Sequence, residues 1–141
     1  MPLQIRRVQA WCGEITDRPG AAAATLAYLN EAGAELEFLF TRPNPNKLDT
    51  SVIFIAPITG PEQMQAARNG GLGPALDVTM LCVEGETRPG ISYDIMSKLA
   101  IAGINLRGLS VSCIGKRFAA YLAFDNVDTM TMAIQILATM D

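Results

Sequence analysis

Residues 9–40 of this chain, QAWCGEITDRPGAAAATLAYLNEAGAELEFLF, return as residues 79–110, TMLCVEGETRPGISYDIMSKLAIAGINLRGLS. At an offset of 70 the two stretches align without a gap and share ten of 32 positions. The matches mark structure rather than composition. Cys12/Cys82 and Glu14/Glu84 close an apolar run, Arg18-Pro19-Gly20 repeats as Arg88-Pro89-Gly90, and Leu29/Leu99, Ala32-Gly33/Ala102-Gly103, Leu36/Leu106 and Leu39/Leu109 keep step. A period of that length exceeds a solenoid unit and fits a small domain, so the chain is expected to be a domain followed by its duplicate. Each half is small to be stable alone.

Local signals give each half the same order. Residues 3–14 mix apolar and polar positions without a helical period and read as one long strand. Asp17-Arg18-Pro19-Gly20 carries helix-start chemistry: Asp17 is an N-cap candidate, proline is tolerated in a first turn, and Ala22, Leu26 and Leu29 fall on one face. Gly33 ends that helix. Glu35 to Arg42 alternates as a strand, Pro43-Asn44-Pro45-Asn46 turns the chain, Ser51 to Ala56 returns, and Thr59-Gly60-Pro61-Glu62 opens a second helix to about Arg68. In the second half the strand is Leu76 to Glu84, and Thr87-Arg88-Pro89-Gly90 opens a helix with Ile91, Ile95 and Leu99 buried. Ile104 to Ser112 and Phe118 to Phe124 then form a hairpin around Gly115-Lys116-Arg117. A helix with Met130, Ala133, Ile134 and Leu137 inward closes the chain. The fold class is α+β, each half reading strand, helix, strand, strand, helix.

A closing strand is missing from each half. Residues 3–8 precede the first repeat as 73–78 precede the second, so the expectation is a first repeat over 1–72 and a second over 73–141 with these segments serving as last strands. Residues 76–79 would complete the first half, and Leu3 to Arg7 would cross over to complete the second.

Composition narrows the function classes. Eleven basic and 14 acidic residues give a net charge of −3, with no run of like charge, so neither nucleic acid nor an anionic membrane is an expected partner. The N-terminus lacks a signal-peptide pattern and no stretch nears the ~20 apolar residues of a membrane span, which points to the cytoplasm. Cys12, Cys82 and Cys113 are odd in number and scattered, and are expected as buried thiols in a reducing compartment. Without histidine or a CxxC pair no metal site is expected, and without a phosphate loop or nucleophile motif no cofactor, no catalytic residue and no enzyme activity are. Glu14 and Glu84 read as solvated strand ends, and Met130 and Met132 as core filling.

Taken together, Asp17-Arg18-Pro19-Gly20 with Ala32-Gly33-Ala34-Glu35-Leu36, and Thr87-Arg88-Pro89-Gly90 with Ala102-Gly103-Ile104-Asn105-Leu106, resemble the signature of a tandem pair of ACT domains. The resemblance covers essentially the whole chain and is similar to the regulatory half of aspartokinases, here standing alone. It implies two ferredoxin-like βαββαβ repeats joined in one antiparallel sheet with helices on one face. It also implies an allosteric, regulatory role, a homodimer, a regulated enzyme as partner, and a small ligand, most often an amino acid, at the seam between repeats. An alternative is an assembly module that only mediates oligomerisation or regulatory-subunit contacts, its ligand site vestigial.

The residues themselves suit such a ligand. A helix N-terminus offers unpaired N–H groups and positive potential to a carboxylate. Gly20 admits close approach, the Asp17 carboxylate suits an ammonium, and the Asn105 amide both donates and accepts. The expected site is Asp17, Arg18, Gly20, Ala21 and Ala22, faced by Asn105 and Leu106. A second, weaker site is Thr87, Gly90, Ile91 and Ser92, faced by Glu35 and Leu36. There threonine replaces the acid and glutamate the amide, and the glutamate charge would repel a ligand carboxylate.

Overall fold

A computed structural model describes residues 2–140. Those residues form two compact units, one over Gln9–Ala75 and the other combining the segment up to Val8 with the chain from Leu76 onward. The division falls three residues later than the 72/73 boundary expected from the repeat.

The Gln9–Ala75 unit contains β2 (Trp11–Thr16), α1 (Ala21–Glu31), β3 (Phe38–Pro43), β4 (Thr50–Ala56), α2 (Gly60–Asn69) and β5 (Gly73–Pro74). Its sheet runs β3-β4-β2-β5 with every pair antiparallel. One face of the sheet supplies Trp11, Ile53 and Ile55 to a core that Leu29 of α1 and Ala67 of α2 complete. Where the expectation had residues 76–79 as the closing strand, Gly73 and Pro74 take that place beside Cys12 and Trp11. Leu76 is 87% exposed. Proline has no N–H to donate, and an edge is where a sheet accepts it.

The second unit holds β1 (Gln4–Val8), β6 (Thr79–Glu86), α3 (Ile91–Ile101), β7 (Gly108–Ile114), β8 (Arg117–Phe124) and α4 (Val127–Leu137). Its order is β1-β6-β8-β7, so β1 lies along β6 with Arg6 opposite Cys82. The stretch read as one strand over 3–14 is therefore two strands in two sheets. The side chain of Gln9, at the break, donates to the carbonyl of Ala10 at 2.9 Å. Apolar residues on both sides of the break kept the change of sheet out of sight. Strict alternation in β8 buries Phe118, Ala120, Leu122 and Phe124, and the spacing of four in α3 buries Ile91, Ile95 and Leu99 against them. Met130, Ala133 and Leu137 of α4 complete this core. Asn126 caps α4, its side chain accepting from the Thr129 amide at 2.8 Å.

Three further corrections concern pairing and exposure. Among the described residues hydrogen bonding makes two four-stranded sheets, not the single sheet expected. Alternation encodes which face of a strand is buried and says nothing about which edges meet. The strands expected from Glu35 and Ile104 begin only at Phe38 and Gly108, because the chain is still leaving its helix. The amides of Ala34 and Ile104 donate back to Leu29 and Leu99, and Leu36 and Leu106 pack against the cores instead of joining a ladder. Finally, Cys82 is buried as expected, but Cys113 is exposed on edge strand β7 and Met132 stands outward on α4.

Candidate functional site

The two turns that carry Arg-Pro-Gly have the same backbone. Gly20 and Gly90 occupy the N-cap positions of α1 and α3 with φ of 87° and 84°, and neither helix has a side-chain cap. This replaces the expected capping by Asp17: the helix starts at Ala21, so Asp17 and Pro19 precede it. In that left-handed conformation glycine is the residue without penalty. A Cβ built on either glycine meets no atom within 4 Å, so the backbone there is open to approach.

The hydrogen-bond accounting picks out the amides on offer. Ala21 donates to the carbonyl of Arg18 and Ala24 to that of Gly20. Among the described residues the amides of Ala22 and Ala23 have no protein acceptor. At α3, Ile91 donates to Arg88 and Asp94 to Gly90, which leaves Ser92 and Tyr93 in the same position. The amides of Ala21 and Ile91, residues of the two expected sites, are thus already engaged. The Ile91 side chain is core. Ala23 was missed, although counting first-turn amides from a glycine cap finds it.

Electrostatics separate the turns. The first turn of α1 contains no acidic residue, and Arg18 and Asp17 are exposed beside it. The first turn of α3 carries Asp94, whose carboxylate is held by Arg88 at 2.7 Å. A fixed carboxylate there offsets the positive end of the helix with the protein's own charge. Asp94 was also missed in the sequence, and an acid four residues after a cap glycine is its signal. Each turn is tied to the neighbouring hairpin: Asp17 N–H donates to the Asp49 carbonyl at 2.9 Å, and Thr87 N–H to that of Lys116 at 2.8 Å. In the first unit that hairpin is longer and is braced by Lys47 on Glu14 at 2.9 Å. In the second, the Thr87 hydroxyl lies 3.5 Å from the Cys113 sulfur.

The remaining expected residues lie at the far ends of the helices. Glu35 and Asn105 are exposed, and Leu36 and Leu106 half-buried, in the irregular segments before β3 and β7. An 11-residue helix is about 16 Å long. Within a unit, then, the Asp17 turn is not brought to Glu35 and Leu36, nor the Thr87 turn to Asn105 and Leu106. Among the described residues no group of acids and cysteines is placed to hold a metal, and no helix is long and apolar enough to cross a membrane.

No family model and no curated protein matches the chain in sequence. Solved structures match its fold. Protein BT0572 from Bacteroides thetaiotaomicron superposes with a TM-score of 0.77 at 10% identity, over 93% of this chain and 88% of that one. The ligand-free regulatory subunit of aspartate kinase from Thermus thermophilus gives 0.66 at 16% identity, over 99% and 98%. That of Thermus flavus gives 0.60 at 15%, over 97% and 95%. The two units share one strand order, and the chain has the tandem ACT fold of aspartate kinase regulatory subunits.

Proposed function

We propose that the chain is a regulatory sensor that binds a free amino acid, or a metabolite of the same ammonium-carboxylate chemistry, at the Asp17-to-Ala23 turn. The single observation that carries this reading is the N-terminus of α1: an open glycine cap, unclaimed amides at Ala22 and Ala23, and no acid in the first turn. The ligand carboxylate takes these amides and the Asp17 carboxylate takes the ammonium. Asn105 and Leu106 close the seam from another unit. Arg18 stands beside the carboxylate. The solved structures with this fold include regulatory subunits of a kinase, which supports a regulatory role and an enzyme partner for this chain.

The turn at Thr87, Gly90, Ile91 and Ser92, faced by Glu35 and Leu36, is the weaker site in this reading. It has threonine in place of the acid, and Asp94 already supplies a negative charge to its helix. One ligand per chain is therefore expected.

Thermal shift against the twenty amino acids tests the proposal, because a ligand of the folded state raises its melting temperature by mass action. A selective rise is expected, with calorimetry giving one site per chain. Asn105→Ala should cost on the order of 1.5–3 kcal/mol of binding, the loss of a hydrogen bond to a charged group. A flat panel would leave assembly as the role of the fold.

A further inference from the structure

Strand β1 stands at one edge of its sheet, with β6 as its single neighbour among the described residues. None of its five residues is buried. Such an edge leaves alternate backbone donors and acceptors to the solvent, where a further strand can take them. Unlike β5, which is two residues long and contains Pro74, β1 has the length for a ladder and no proline within it. Its side chains set the kind of partner. Leu3 and Ile5 pack against the core of the unit, and alternation calls for a third apolar residue at position 7. Arg7 stands there instead, exposed and opposite Leu81. Among the described residues it has no acid partner. Arg6, pointing to the other face, reaches Glu84 only at 3.9 Å. No acid lies in the strand.

We propose that β1 is a docking edge for an extended, acidic segment of a different protein, which adds to the sheet as a new outer strand. Charge excludes the other occupants. A second copy's β1, paired antiparallel along its whole length, would set Arg6 against Arg6, and like charges directly opposite destabilise a sheet. A neutral strand would gain the ladder and leave Arg7 unpaired. Two adjacent acids in the incoming strand give each arginine a carboxylate on its own face, because neighbouring residues of a strand point to opposite sides. This surface belongs to the second unit alone, and it does not depend on an amino acid at the Asp17 turn.

The probe is a short fluorescein-labelled peptide with two adjacent glutamates flanked by valine and threonine, added to the full chain and followed by anisotropy. Saturable binding is expected, and Arg7→Glu should weaken it about tenfold, with circular dichroism confirming the fold of the variant. A matched peptide with two lysines should bind Arg7→Glu more tightly than it binds the wild type. Methylating the backbone amides of the acidic peptide should abolish binding, since it removes the ladder donors and leaves the charges in place. No binding of the acidic peptide overturns the proposal. Binding that survives Arg7→Glu or the methylation also overturns it, by showing plain charge attraction. Loss of binding in Lys116→Glu, at the hairpin of β7 and β8, would put the peptide on the other edge with the same consequence. Sedimentation of the chain alone covers the remaining occupant: self-association that Arg7→Glu abolishes would make a second copy the partner of β1 and overturn the proposal as well.

Discussion

Replacing Gly20 and Gly90 by alanine, singly and together, separates what the turns do for the fold from what one of them does for a ligand. Both residues are left-handed, at φ of 87° and 84°. An alanine forced there costs about 1–2 kcal/mol. The substitution also removes freedom from the unfolded chain, which offsets about 0.4–1 kcal/mol when the new residue fits. No steric term enters, since the added methyl meets no atom within 4 Å at either position. The net loss is then at most about 1.6 kcal/mol for each, nearly equal between the two. The turns share no hydrogen-bond partner, so the losses should add in the double variant. Urea unfolding measures this as a lower midpoint at unchanged slope. Ligand response should divide the pair: Gly20→Ala puts a methyl where a carboxylate approaches the backbone and abolishes the selective thermal shift, whereas Gly90→Ala keeps it. A loss above ~3 kcal/mol at either glycine would mean that the turn is packed rather than open. Equal effects of both variants on ligand response would refute the assignment of the site to α1.

Gly13→Ala should be worse than either, since its Cβ would sit 2.6 Å from the Gly71 carbonyl oxygen and 2.7 Å from Leu72 Cδ2. Backbone cannot yield there, and a loss of about 1–3 kcal/mol in urea is expected. Ile95→Ala, at a side chain 1% exposed between α3 and β8, should cost about 2–5 kcal/mol in the same assay. Asn126→Ala removes the acceptor for both the amide and the hydroxyl of Thr129, a loss of about 1 kcal/mol measured the same way. Burial, and then the neighbouring Cys82, push the Tyr121 phenol up to about 12, against a smaller opposing effect of Arg6. The folded state therefore holds that proton more tightly than the unfolded one. The resulting stability is complete below pH ~10 and is lost as pH rises toward 12. Tyr121→Phe should lack that alkaline fall and the last rise of phenolate absorbance.

Legibility followed the range of the interaction. The helix faces were plain because a spacing of four in Ile91, Ile95 and Leu99 is a local property, and so was the alternation from Phe118 to Phe124. One cap lies three residues further on than its side-chain chemistry suggests: Asp17 looks like an N-cap, yet the left-handed Gly20 begins the helix. Strand starts at Glu35 and Ile104 were read early, since apolar residues that leave a helix to plug a core have the same pattern as residues that enter a ladder. For the site, the turn residues were legible as a set. The presence of Asp94 after Gly90, and the lack of an acid after Gly20, stand in the sequence; that Arg88 holds Asp94 at 2.7 Å emerged only from the folded geometry.

The sequence by itself determined the duplication, the α+β class and the element order, because repeat, period and turn chemistry are carried by residues near one another in the chain. It determined, too, that both halves open their first helix from the same Arg-Pro-Gly turn. Only the tertiary structure decided that Gly73 and Pro74, rather than residues 76–79, close the first sheet, and that among the described residues the pairing stops at two sheets of four strands. Backbone hydrogen bonds between strands are indifferent to side-chain identity. Which edge meets which is therefore settled by packing and connectivity across the whole chain, and no local pattern records it.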